Sequence, residues 1–296
     1  MNNKTKGLIG KYLVTFCGIF VIIITLTIAI FLIYKGSGTF SKYGHSISEF
    51  LFSSNWSPQD DFKGGGHVGS AVYIMGSITT CALAILLAVP FSLCAAIFIT
   101  EISPRLGEKI IQPAVEIFVG IPSVVYGWIG LSVLVPFIQK LFHLQMGFSV
   151  LAAGIVLAVM IFPSITTVSV DAIKGVPDGY KQAAYGLGST RWQIIYKVII
   201  PSAKTGIFTG IILGLARAFG EALAVAMVIG KMRGFPQNIF SPTINLTSAI
   251  ASDMGGAAEG GEYNLALWTM ALLLFFISLF FILLVHLISS RKVKSL

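Results

Sequence analysis

Of the 296 residues, 55% are hydrophobic and only 11% are charged, whereas soluble domains carry roughly 25% charged residues. So few charges cannot cover a water-exposed surface, and no polar segment is long enough to build a soluble domain, so most of the outer face must meet lipid. The net charge of +8 is informative through its distribution rather than its sum.

Residues 12–34 form a charge-free apolar run, and about 20 such residues cross a bilayer. The run is too long for a signal-peptide core and no small-residue cleavage site follows it, so it reads as a retained anchor helix. An outer loop, 35–69, comes next. Within it, 47–52 is expected to form an interfacial amphipathic helix, with Trp56 at headgroup level. Helix two is expected over 70–100 with Pro90, and helix three over 110–139, interrupted by Pro122 and Pro136. Helix four spans 148–170 with Pro163, helix five 203–230 and helix six 265–289. The second long outer loop, 231–264, and the first read equally well as docking surfaces or as solvated linkers. Membrane helices tolerate proline where neighbours or water satisfy the freed carbonyls, and several kinks suit a bundle around a pathway. The expected class is an all-α membrane protein with six transmembrane helices. Residues 1–69 are the anchor and outer loop, and 70–296 the core, with a cytoplasmic loop at 171–204.

With the N-terminus cytoplasmic, thirteen Lys and Arg residues fall on inner segments, among them Arg291, Lys292 and Lys294, and six on outer ones. Arg217 is left inside a helix. This positive-inside asymmetry places both termini in the cytoplasm and accounts for the basic charge without nucleic acid. Cys17, Cys81 and Cys94 lie in apolar segments without metal-ligand spacing and read as small packing residues.

The loop 171–204 reads DAIKGVPDGYKQAAYGLGSTRWQIIYKVIIPSAK. Pro177 and Asp178 open a short helix, and Gly186 and Gly188 permit a sharp turn. Thr190 caps a second helix, 191–199, which Pro201 is expected to end. The set Gln182, Ala183, Ala184, then Gly188 and Ile200-Pro201, resembles the EAA loop of ATP-binding-cassette (ABC) importer permeases. That family usually begins the motif with Glu, so Gln182 removes one ionic contact. GIPSVVYG (120–127), RAFGEALAV (217–225) and LTSAIASDMGGA (246–257) are similar to the phosphate permeases of the family, and the likeness runs from about residue 69 to the C-terminus.

The resemblance implies a type I importer permease fold in a bacterial or archaeal cell membrane, with inorganic phosphate as substrate. It gives Gln182, Ala183, Ala184 and Gly188 a role in ATPase coupling. It also implies three partners: a homologous permease subunit, a dimer of ATP-binding subunits and an extracytoplasmic phosphate-binding protein. Sulfate or molybdate is the alternative substrate.

Helix five carries the charges. At about 100° per residue, Gly206, Gly210, Gly214, Arg217, Glu221 and Ala224 fall in one stripe. Small residues there let another helix approach closely. An arginine at mid-bilayer costs about 3 kcal/mol or more, and Glu221 at i,i+4 is placed to offset part of it. A scaffold pair is one reading. The other is an anion contact, because guanidinium offers a planar fork to two oxygens. By resemblance, the two match a charged pair associated with transport.

Glu116 is a further candidate for the pathway. Ser123, after Pro122, could open a half-helix whose N–H groups face an anion. His45, His67, His143 and His286 have no metal-ligand spacing, and no cofactor is implied. No Walker loop occurs, so ATP hydrolysis is expected on another chain. A secondary transporter would need inverted repeats or several intramembrane acids, and an intramembrane enzyme a Ser-His pair or HExxH helix; the sequence shows none clearly.

Overall fold

The computed structural model describes residues 3–59 and 62–290. Arg291, Lys292 and Lys294 of the charge pattern lie outside the described residues. Six helical stretches are long and apolar enough to cross a membrane, namely Lys11–Ser41, Ala71–Ile102, Ser123–Leu141, Val150–Lys174, Arg191–Gly220 and Glu262–Leu287. The all-α, six-span architecture expected from hydropathy is thus present.

In chain order, α1 (Asn3–Gly36) is followed by the short α2 (Gly38–Ser41) and α3 (Ile47–Phe52). Strands β1 (Trp56–Ser57) and β2 (His67–Val68) pair antiparallel, Trp56 opposite Val68. Next is α4 (Ala71–Ile97), which leads through a π-turn at Phe98–Ile102 to α5 (Pro104–Leu106). The third crossing is built from α6 (Gln112–Gly120), α7 (Ser123–Ile129) and α8 (Val135–Leu141). The long α9 (Val150–Lys174) is followed by α10 (Asp178–Gly186), α11 (Arg191–Ile194) and α12 (Ile200–Gly220). Last come α13 (Leu223–Val228), α14 (Leu246–Asp253) and α15 (Glu262–Ser290).

Pro136 and Pro201 do not interrupt their helices, contrary to the sequence expectation. A π-turn precedes each, Gly130–Leu134 before Val135-Pro136 and Ile195–Ile199 before Ile200-Pro201. A third, Gly107–Ile111, precedes Gln112-Pro113. Proline lacks an N–H and its ring crowds the carbonyl four residues back. The wider i→i+5 turn takes up that mismatch, so α11 continues into α12 as one crossing. At its start Thr190 caps α11 as expected, and Gln193 reaches back to complete a reciprocal capping box.

The core centres on α9, 67% of whose spanning window is buried. Helix α12 lies against it, antiparallel, through the glycine stripe. A Cβ on Gly206 would meet Ala172 at 2.5 Å, one on Gly210 would meet Val168 at 3.1 Å, and one on Gly214 would meet Ile165 at 2.7 Å. The small residues therefore set a close approach between two backbones.

At the end of the bundle where α15 begins, both long loops fold into a packed lobe rather than a solvated linker. Trp56 is 9% exposed and packs edge-on against Tyr73, with ring centroids 5.1 Å apart. It is a core residue of the lobe and not the headgroup anchor anticipated, because strand pairing turns it inward against Val68. Glu262, fully buried, accepts the N–H groups of Gln59 (2.7 Å), Gly65 (3.1 Å) and Gly66 (3.1 Å). Gly64 and Gly65 hold positive φ there, at 73° and 105°, which lets consecutive amides converge on one carboxylate.

His45 bridges two carboxylates in this lobe, Nδ1 to Glu49 at 3.1 Å and Nε2 to Glu262 at 2.8 Å. A neutral ring has one N–H, so engaging both acceptors requires the imidazolium. Burial opposes that charge, but the bonds to Glu262 and Glu49 outweigh it and raise the His45 pKa above 6.5. For Glu49, burial is likewise outweighed by the His45 contact, and its pKa falls below 4.5. The His45 contribution is complete below about pH 6.5 and is lost as pH rises through the raised folded value; the Glu49 contribution is lost only as pH falls through its lowered value. We expect hydrogen-exchange protection at Gly65 and Gly66 to drop severalfold as the buffer is raised from pH 6 to pH 9. His45→Gln should flatten that profile, and pH-independent protection in the unmodified protein would refute the bridge.

Candidate functional site

Two crossings break inside the bundle. In the third, Ile121 takes an extended conformation (φ −72°, ψ 127°), as a residue before proline prefers. Helix α6 ends and α7 starts at Ser123. Pro122 has no N–H for the Phe118 carbonyl, and the Tyr126 hydroxyl donates to that carbonyl at 2.7 Å. The side chain one turn past the proline thus closes the gap the proline opens.

In the fifth crossing, the single helix expected over 203–230 ends at Gly220, and Glu221 is extended (φ −76°, ψ 121°). Its Oε1 accepts the Ala224 N–H at 3.0 Å, and its carbonyl accepts the Thr247 hydroxyl at 2.7 Å. Glu221 therefore caps α13 and ties it to α14. It does not pair with Arg217 one turn back, because the helix that would align them has stopped and the carboxylate has turned to the new N-terminus.

The breaks lie side by side. A Cβ on Gly127 would fall 2.7 Å from the Ala224 Cα, and one on Gly130 would fall 2.9 Å from Val228 Cγ1. Helices α7 and α13 are thus parallel neighbours. At about 1.5 Å per residue, the register carried back sets Ser123 level with the Gly220–Ala222 turn.

Arg217 stands in the last turn of α12, just before the break. Its Nη1 donates to the Ser164 hydroxyl of α9 at 2.8 Å. Ser164 is the chain neighbour of Ile165, the α9 residue that Gly214 faces. No carboxylate lies within ion-pairing distance of Arg217 among the described residues. A guanidinium in a membrane crossing without a counter-ion is costly, and an anion reaching it relieves that cost.

The other candidates are distributed unevenly. Ser123 is half-buried at the start of α7. Glu116 is exposed on α6 and accepts from Gln112 Nε2 at 3.2 Å. No hydrogen bond or ion pair joins it to Arg217 among the described residues.

At the opposite end of the bundle from the lobe, Gln182 and Ala183 are exposed on α10, Ala184 is half-buried, and Gly188 turns the chain with φ +78°. Tyr180, Tyr185, Leu187 and Trp192 are exposed around them, Leu187 at 87%. The unit is tied down by Lys181 on Glu101 at 2.7 Å and by Arg191 on the Glu101 and Ile102 carbonyls.

Sequence reasoning missed Ser164 and Tyr126. The hydroxyl of Tyr126 sits four residues past Pro122, within reach of the carbonyl that proline orphans, and that spacing is readable. Ser164 needed the α9–α12 register, which no local pattern carries.

Residues 88–294 match the model of the family described as binding-protein-dependent transport system inner membrane component. The probable ABC transporter permease protein YqgH of Bacillus subtilis is 45% identical, covering 98% of this chain and 93% of that protein. The phosphate transport system permease protein PstC of Pasteurella multocida is 35% identical, over 94% of this chain and 90% of that one. Among solved structures, a chain of a bacterial alginate ABC transporter superposes with a TM-score of 0.64 at 17% identity, covering 98% of each chain.

Proposed function

Because the chain belongs to the family of binding-protein-dependent transport system inner membrane components, we propose that it forms half of the translocation pathway of an ATP-driven importer of inorganic phosphate. Relatives named as phosphate permeases support the substrate. The observation that carries the reading is Arg217, a cation without a carboxylate partner among the described residues, one turn from two level helix breaks. An oxyanion passing there meets a fork of N–H donors that keeps its charge at every relevant pH.

In this reading Arg217 and Ser123 face the anion, Glu221 holds the break open as a cap, and Glu116 lines the approach on α6. The core begins near residue 70, after the anchor and first loop. The lobe lies outside and both termini in the cytoplasm, following the Lys/Arg asymmetry. A phosphate-binding protein of the PstS kind docks on the outer side, and a homologous permease of the PstA kind completes the pathway. The exposed α10 turn with Gln182, Ala183, Ala184 and Gly188 engages a PstB-like ATP-binding dimer, which hydrolyses the ATP. Exposed Tyr180, Tyr185 and Leu187 give that contact an apolar centre.

The test is ATP-dependent uptake of labelled phosphate by the reconstituted complex. Excess unlabelled phosphate should abolish the signal, and equal sulfate or molybdate should leave most of it. Preferential uptake of sulfate or molybdate would move the assignment to those ions.

A further inference from the structure

We propose that Ser164 is a second anion contact of the pathway, one that also positions Arg217. Its neighbours behave differently. On α9, the Thr166 and Thr167 hydroxyls bond back to carbonyls of their own helix, Phe162 at 2.8 Å and Pro163 at 3.0 Å. Thr209 on α12 does the same to Thr205 at 2.9 Å. Such back-bonding satisfies a hydroxyl donor inside a membrane helix. Ser164 makes no such bond among the described residues. Its oxygen instead accepts from Arg217 Nη1 at 2.8 Å.

A hydroxyl that accepts keeps its own O–H to give. The contact therefore leaves two kinds of donor together: the remaining N–H groups of the guanidinium, and one neutral O–H. A tetrahedral oxyanion has oxygens for both. The combination also suits transport. A second cation would hold the anion too strongly to let it go, whereas a hydroxyl adds a contact and direction with no added charge, and conduction needs binding weak enough for release. Between anions, Ser164 fixes the rotamer in which Arg217 waits, so little ordering is left for the moment of binding.

This inference rests on Arg217 as the anion contact, and the experiment separates the two. In the reconstituted complex, with uptake normalised to assembled complex, Ser164→Ala should raise the KM for phosphate about tenfold, as expected for losing a hydrogen bond to a charged partner. The yield of assembled complex should stay close to normal, since alanine fits sterically wherever serine does. Ser164→Thr, which keeps the hydroxyl, should restore KM to within about threefold. A KM unchanged in Ser164→Ala, while Arg217→Lys is impaired, overturns the role of Ser164 and leaves that of Arg217. Normal uptake by Arg217→Lys overturns the parent reading. A reduced yield of Ser164→Ala complex with unchanged KM marks Ser164 as packing only and overturns the proposal. Should Ser164→Thr disturb packing, Ser164→Cys provides the second hydroxyl-like donor, and failure of both to lower KM below the alanine value overturns it as well.

Discussion

Arg217→Lys is expected to lower phosphate uptake per assembled complex by about ten- to a hundredfold, although the charge is kept. Hydrogen bonds to a charged group are worth about 1.5–3 kcal/mol, and lysine replaces a planar fork with a point charge on a more strongly hydrated head. The substitution also withdraws the donor that Ser164 accepts at 2.8 Å. A scaffold role gives a different pattern. If Arg217 only held α12 to α9, then Arg217→Met, apolar and of similar length, should assemble and transport well, since only the neutral Ser164 hydroxyl would lose a partner, and it can turn back to a carbonyl of its own helix as Thr166 and Thr167 do. Near-normal uptake by that variant would defeat the pathway reading. Glu221→Gln serves as the companion measurement. The amide oxygen still accepts the Ala224 N–H, so assembly should stay close to normal, whereas Glu221→Ala should cost about 1 kcal/mol as a lost cap.

The second large effect is expected at Gly188. Its φ of +78° lies where β-branched residues are outliers, and strain there costs on the order of 1–3 kcal/mol. Gly188→Val should therefore unwind or reaim the turn between α10 and α11 without touching the bundle, since nothing crowds the position where its Cβ would sit. Transport-coupled ATP hydrolysis should fall severalfold toward the basal rate. Gly188→Asn, which tolerates the left-handed region, should fall far less. Stimulation equal to the unmodified complex in Gly188→Val would remove this turn from coupling.

What was legible in the sequence follows a physical division. Spans were legible because lipid demands runs of apolar residues, and the glycine stripe because helical period is local. The Thr190 cap was legible for the same reason. The break at Gly220 was not: RAFGEALAV continues the apolar helical pattern, and only Glu221 turning to cap α13, with Thr247 from 26 residues away on its carbonyl, reveals a new start. Arg217 stood out in the sequence as a charge within an apolar run and is half-buried in α12, but the expected pairing with Glu221 does not form, because an i,i+4 rule assumes an unbroken helix. The lobe was illegible for a related reason. Its centre, Glu262, collects amides from about 200 residues earlier, and local composition carries no trace of such pairings.

The π-turns ahead of Pro113, Pro136 and Pro201 have a geometric result of their own. Each acts as one inserted residue, and one residue is about 100° of helical rotation. Segments on either side of such a turn are consequently out of phase. In the fifth crossing, Arg191–Ile194 and Ile200–Gly220 belong to one continuous stretch but have no common angular origin. A side chain on the lipid side of one segment has its helical-wheel equivalent in the other facing a different quarter of the bundle. The wheel has to be restarted at Ile200, and the two ends of one continuous crossing are thereby directed toward different neighbours.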